Sequence, residues 1–461
     1  TQAWLFGRRR VTNGTNGNTL NIVNYQGEMQ NMGNFDRIDL NLAGLKVSVN
    51  SPIILLTEKL PTNLDNSTIH IHSNNLATAL TNDPSLADRI EIIRNQSVGL
   101  TAYNVKFEKD KIIVTQDRGS LAAIYSVEWD GSIDKAGDSI DLVKLEVFQR
   151  PEAGSYIANL DSWAKMHMRL HDRFGQAYYI DPFDGLEKPA SGWVRQVGSH
   201  SHFGTGLTSK THSKTAVTQI GADLFRNEIN EDWKYTGGVF AGGLYNRANT
   251  RSLSSSKSRS DGYSLGIYGT VYTGNSPDDG FYVDSWLLFG RYDNKIWGDT
   301  TSSFKYKSHG WVWSVESGYT VPLGESGEKD SNKVIWTFQP EAQFVWDGTK
   351  ANHIKDAVGT IYSQLGSDNV SIRLGARIHA NHMNKGLGFI EGNWIHNTKK
   401  AGVRMGSSKT YINGGRDLGE FRMGLEGHLS RNTLGWATVG VQAGRHGYHN
   451  ETAQIGVRYM F

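Results

Sequence analysis

From about residue 190 to the C-terminus, apolar and polar residues alternate one by one through segment after segment, a pattern that few folds accept. A strand turns successive side chains to opposite faces, so strict alternation gives a sheet with one oily and one polar side. Between 334 and 346 the even positions are Val334, Trp336, Phe338, Pro340, Ala342, Phe344 and Trp346, while Thr337, Gln339, Glu341 and Gln343 stand between them. Between 370 and 380, Val370, Ile372, Leu374, Ala376, Ile378 and Ala380 oppose Ser371, Arg373, Gly375, Arg377 and His379. Phe421, Met423, Leu425 and Leu429 likewise oppose Arg422, Gly424, Glu426 and His428. Strands are expected near 190–203, 213–226, 233–248, 260–274, 280–297, 304–321, 333–347, 369–381, 387–397, 417–429, 434–446 and 452–461. That is twelve, and an even number lets a bacterial barrel begin and end on the same side of a membrane.

A soluble sandwich alternates too, so the polar face has to decide. It carries both charge signs, at Glu316, Glu341, Arg373, Arg377, Glu391, Arg422, Glu426 and Arg458, beside many glycines. Mixed charge with small residues suits a watery lumen better than an outer surface. Aromatics near strand ends (Trp193, Tyr235, Tyr263, Tyr272, Trp297, Trp311, Trp336, Trp346, Tyr411 and Phe461) suit the girdles at membrane interfaces. The reading is an antiparallel transmembrane β-barrel.

Composition narrows the rest. No apolar run is long enough for a helix to span a bilayer. The 461 residues include 52 glycines and no cysteine, which excludes disulfides, thiolate zinc sites, iron–sulfur clusters and thiol nucleophiles. Basic and acidic residues number 48 and 46, so the net charge of +2 points to no nucleic-acid partner. The opening TQAWLFGRRR lacks the apolar stretch of a signal peptide, and the chain reads as starting partway through a longer precursor.

Residues 1 to about 150 hold short alternating runs such as TLNIVNY (19–25), DRIDLNL (36–42), STIHIHS (67–73) and KIIVTQD (111–117), broken by Asn, Gly and Asp. They suggest the end of a β-helical solenoid, with an ordinary β-sandwich as the alternative, although no tight repeat of solenoid length can be written. From Gly154 the spacing changes. Ile157, Leu160, Ala164, Leu170 and Phe174 predict one helix over about 155–174, supported slightly by the Asp161/Lys165 pair at i,i+4. Polar residues on most of its faces (Asn159, Arg169, Asp172, Arg173) argue against an oily core. About 20 residues would reach ~30 Å, the thickness of a bilayer's hydrocarbon. A linker helix lying on a surface is the bland alternative.

The last eight residues resemble the terminal signature of bacterial outer-membrane barrels, with Gln454, Gly456, Tyr459 and Phe461 at its defined positions. That resemblance implies recognition by the barrel-insertion machinery. The stretches RLHDRFG (169–175), GWVRQVGSH (192–200), GYSLGIYGTVYTG (262–274), YVDSWLLF (282–289), QPEAQFVW (339–346), NVSIRLGAR (369–377), EGNWIHNT (391–398) and VGVQAGRHGY (439–448) together resemble the C-terminal part of monomeric autotransporters of type V secretion. The similarity is nearest to the diffuse-adherence and self-associating adhesins. It implies an all-β chain: a twelve-stranded barrel over 190–461, a linker at 154–189 with its helix in the pore, an autochaperone-like cap at 120–153, and a passenger β-helix end over 1–119. It also implies an outer membrane with lipopolysaccharide, a barrel-assembly machinery, periplasmic chaperones and the chain's own passenger as partners, with residues 1–150 at or beyond the cell surface. A host or bacterial ligand is left unnamed.

The plug is expected to work through charge, with Arg169, Asp172 and Arg173 facing lumen carboxylates such as Glu341, Glu391 and Glu426. Some autotransporters cut themselves between adjacent asparagines in the pore; here that stretch reads Ala158-Asn159-Leu160-Asp161, so self-cleavage there is not expected. No GxSxG, HExxH or phosphate loop occurs, and neither an enzymatic activity nor a cofactor is expected. His70/His72 and His200/His202 each place two rings on one strand face. With no third ligand nearby, they read as solvated histidines and not as a metal site. A porin-like channel and an omptin-like protease are the rival outer-membrane barrels.

Overall fold

The computed structural model describes residues 17–48, 51–59, 61–72, 76–78, 86–108, 111–131, 138–174, 191–206, 208–274, 276–327, 333–382 and 386–461. Among them, twelve long strands make one closed antiparallel barrel. These are β1 (Ser191–Thr205), β2 (Ser209–Glu228), β3 (Trp233–Arg251), β4 (Ser255–Thr273), β5 (Phe281–Gly298), β6 (Thr301–Tyr319), β7 (Val334–Asp347), β8 (Asn369–His382), β9 (Gly386–Asn397), β10 (Asp417–Ser430), β11 (Thr433–Gly444) and β12 (His449–Met460). Each pairs with its neighbours in sequence, and β12 closes on β1 from Ser191↔Met460 to His202↔His449. Closure removes both sheet edges, which a membrane would leave without hydrogen-bond partners.

Burial follows the alternation. On β8, Arg373, Arg377 and His379 face inward and are buried, while Leu374 on the opposite face is 50% exposed. On β12, Ile455, Val457 and Tyr459 look outward, and Gln454, Arg458 and Met460 inward. Two aromatics depart from the expected girdle: Trp193 and Tyr272 are buried on the inward face. Tyr411 stands outside the barrel strands, in an outer hairpin. Trp193 lies across Gly221, where a Cβ would sit 2.4 Å from the ring. Gly456 meets the same demand, since a Cβ there would lie 2.1 Å from Trp436 directly across the ladder.

The N-terminal part is built from parallel ladders. One joins Thr19–Val23, Arg37–Asn41, Thr68–His72 and Lys106–Phe107; a second joins Gly27–Met29, Ile54–Leu56 and Arg89–Asn95; a third joins Lys46–Val47, Leu76–Thr78 and Ile112–Gln116. Thr19 aligns with Arg37, Arg37 with Thr68 and Thr68 with Lys106, so each turn is longer than the one before it. Unequal turns hide the repeat from the sequence. Leu20, Ile38, Leu40, Ile69, Ile71 and Ile93 fill its core. The stack ends on an antiparallel hairpin, Leu121–Asp130 with Ser139–Gln149, whose second strand also pairs with Arg89–Asn95.

The plugged lumen as the candidate functional site

After Gln149 the chain turns into the barrel. Helix α1 (Glu152–Trp163) and a 3-10 turn (Ala164–Met166) make one 15-residue helical rod inside the pore, about 22 Å long. The single helix expected over 155–174 is therefore corrected: the rod starts earlier and stops at Met166. His167 takes an extended backbone (ψ 148°), and only a short turn, His171–Phe174, follows. The wall explains the break, because its side chains capture the backbone groups that a continuing helix would have used. Arg195 donates to the His167 carbonyl (2.9 Å), and Trp286 Nε1 and Gln343 donate to that of Met168 (3.0 and 2.8 Å). Glu316 accepts the Leu170 N–H at 3.2 Å.

The rod is buried on nearly all sides although much of it is polar. Tyr156 stacks on Tyr306 (4.9 Å) and Trp163 on Tyr292 (5.2 Å). Asn159 donates to the Tyr306 hydroxyl (3.2 Å), and Trp163 Nε1 to Ser260 (3.3 Å). Gly154 lets the backbone press against the wall, since a Cβ there would lie 2.6 Å from both Thr211 and Thr250. Asp161 forms its i,i+4 pair with Lys165 (3.4 Å) and accepts from Ser201 (3.3 Å).

Below the rod, charges pair across the lumen. Arg169 bonds Glu391 (2.5 Å) and Glu420. Asp172 takes Arg422 (2.6 Å) and Arg195 (3.4 Å). Arg173 meets Asp284 and lies 4.3 Å over the Tyr268 ring, and His171 meets Asp278 (2.6 Å). Of the expected plug-to-wall pairs, Arg169–Glu391 forms. Glu341 bonds Arg373 of the wall (2.6 Å), and Arg173 reaches Asp284. Arg373 also approaches Glu316 (3.3 Å) and Glu391 (3.4 Å). Arg377 lies over Phe389 at 3.5 Å, Arg458 pairs with Asp223, and Glu426 is buried on the same inward face. Glu420 shares the parity of Arg422, so alternation alone could have marked it. Asp284 and Arg195 lie inside the family-like stretches, but nothing in their local spacing singles them out as partners of the plug.

A second group was not legible at all. At the outer mouth, fully buried Arg150 bonds Asp356 (2.6 Å), Thr360 (2.8 Å), Thr300 (3.0 Å) and the Gly119 carbonyl (3.2 Å). Glu152 accepts from the same Thr300 at 2.6 Å. One guanidinium thus joins the last turn of the stem, the start of the rod and a small outer sheet (Ile354–Lys355, Ile361–Leu365, Gly402–Met405, Ser408–Tyr411) built from the loops after β7 and β9. Beside the plug remains a cavity of about 230 Å³ whose lining mixes charged residues (Asp161, Arg169, Arg195, Glu420) with apolar ones such as Val197 and Leu418.

A closed, lipid-facing barrel threaded by the segment that precedes it is the architecture of an outer-membrane translocator. Residues 192–440 match the family model described as the autotransporter beta-domain, and the chain belongs to that family. YuaQ of Escherichia coli K12 is 36% identical over 325 residues, which cover 68% of this chain and 24% of YuaQ. YdeU of the same strain is 36% identical over 326 residues, 68% of this chain and 70% of YdeU. The crystal structure of the transport unit of the E. coli autotransporter AIDA-I superposes with a TM-score of 0.62 at 26% identity, over 68% of this chain and all of that one. The adhesin AIDA-I itself is 28% identical over 333 residues, a quarter of its length. The family places the barrel in the outer membrane with its passenger at the cell surface.

Proposed function

We propose that the barrel exports the chain's own N-terminal part and then anchors it, with residues 152–174 left behind as a plug. The observation that carries this is continuity: one chain runs from the stem, past Arg150, down the lumen to Arg173, with buried partners at each level. Residues 1–119 serve as the passenger's membrane-proximal end, 120–153 as the autochaperone-like cap and 154–189 as the linker. The antiparallel hairpin at 121–149 supports the second assignment, because it closes the parallel stack and gives folding a place to start outside the cell.

Gln454, Gly456, Tyr459 and Phe461 form the signal read by the assembly machinery, with periplasmic chaperones and lipopolysaccharide as further partners. The passenger's role is adhesion, by analogy with AIDA-I, and this chain carries no enzymatic activity. Deleting residues 155–174 tests the plug in planar bilayers. Conductance is expected to rise severalfold, and an unchanged conductance rejects the plug.

A further inference from the structure

Closure brings together histidines that the sequence keeps apart. His202 on β1 lies directly opposite His212 on β2 and opposite His449 on β12. Its ring centroid is 4.4 Å from each of theirs and 4.1 Å from that of His200. His202 Nε2 stands 3.3 Å from His200 Nδ1, and one ligand nitrogen from each of His200, His202 and His212 lies within 4.8 Å of the others. The expectation that His200 and His202 lack a third ligand is thereby corrected, because the neighbouring strand β2 brings His212, and β12 stacks the His449 ring on His202 from the other side. All four rings are on the outward face near the outer mouth, half-buried or exposed. On β1 that face is apolar at Val194 and passes through Gln196 and Gly198 before reaching them, so the cluster sits above the oily belt and within reach of water.

We propose that His200, His202, His212 and His449 form a site for a divalent cation of the zinc class, stapling the seam where the first and last strands meet. Imidazole nitrogens suit Zn²⁺, Ni²⁺ and Cu²⁺, and a tetrahedral zinc holds nitrogens at about 2.0–2.1 Å. The nitrogens of His200, His202 and His212 already gather to within 4.8 Å, while His449, stacked on His202 at 12°, has to turn its ring out of that stack to become the fourth ligand. Glu451, paired across from His200, supplies a carboxylate beside the cluster. Lys214 faces His200 from the other side, and Lys210 and Arg251 flank His212, so the local cations oppose binding and keep it moderate.

The test uses the full chain without a polyhistidine tag, folded in detergent, stripped with chelator and titrated with Zn²⁺. The background is the H70A/H72A variant, because Asp39, His70 and His72 also gather in the stem. Bound zinc is read against a chromophoric chelator, and seam stability by the temperature at which the folded band unfolds in SDS. Wild-type barrel residues are expected to hold one zinc and to unfold at a higher temperature with it. H202A/H449A should weaken binding about tenfold or more and abolish the shift. H212A, an exposed position outside the seam pairing, should weaken binding as well if the double variant fails to fold. Equal zinc affinity in these variants, or zinc binding that disappears with H70A/H72A alone, overturns the site.

Discussion

In the stem, Ile38, Leu40, Ile69 and Ile71 point inward and are sealed from solvent, at 1% exposure or less. In the barrel, Leu374, Ile390, Leu425 and Ile455 hold equally regular alternate positions and are 46–70% exposed. Both regions obey the same period of two, yet the oil lies on opposite sides. Water surrounds the stem, so burying its apolar face stabilises it. Hydrocarbon surrounds the barrel, so the apolar face turns out and the polar face must find partners within. The cost of that inversion is visible in the lumen, where Arg373, Arg422, Glu341 and Glu391 are buried and must neutralise one another.

The sharpest way to break this comparison is to remove one charge from the lumen. Glu391→Ala leaves Arg169 and Arg373 facing each other without their shared carboxylate. Breaking a buried pair this way costs about 3–5 kcal/mol, and Glu420 and Glu341, which the two arginines keep, hold it to the lower end. Urea unfolding of the barrel in lipid vesicles should show the loss. A variant as stable as the wild type would mean the lumen charges are independently solvated.

Next in size is Leu425→Arg, at a side chain 70% exposed on the outer face. Lipid should make it cost up to about 2–4 kcal/mol in vesicles, where a soluble sandwich would lose almost nothing. A negligible effect in the bilayer would deny that this face meets hydrocarbon.

The smallest effect separates the stem from the barrel by pH. Arg37 bonds Glu108 (2.6 Å) and Asp39 (2.9 Å) across three turns of the stem. The hydrogen bond from Arg37 holds Glu108 below the usual carboxylate range; at Asp39 burial opposes the charge, and the Arg37 bond still leaves it lowered. Depressed carboxylates contribute stability that is complete above their ordinary value near pH 4 and is lost as pH falls through the folded one. Thermal melting of the stem should therefore drop modestly below about pH 4, with a shallower slope in Glu108→Gln. An identical slope in both chains would remove the network from the account.

How far the sequence could be read follows from the range of each interaction. The twelve barrel strands were legible within a few residues, because alternation is local and continues along each strand. The stem's ladders were legible as strands but not as turns, since turns of unequal length leave no period to find. The rod's lower end was misplaced because the groups that stop it, Arg195, Trp286 and Gln343, come from distant strands. Arg150 looks like any solvated arginine until the outer hairpin carrying Asp356 folds over it.

By itself, the sequence determined which face is oily in the clearly alternating barrel strands, that a helical segment precedes them, and that the last strand presents Gly456 and Phe461. Only the tertiary structure decided which charges meet and that imidazoles from β1, β2 and β12 gather on one patch. The physical reason is that side-chain direction is set by the backbone of a few neighbouring residues. Partner choice is set by the closing of the barrel, which places β1 beside β12 across nearly the whole length of the domain.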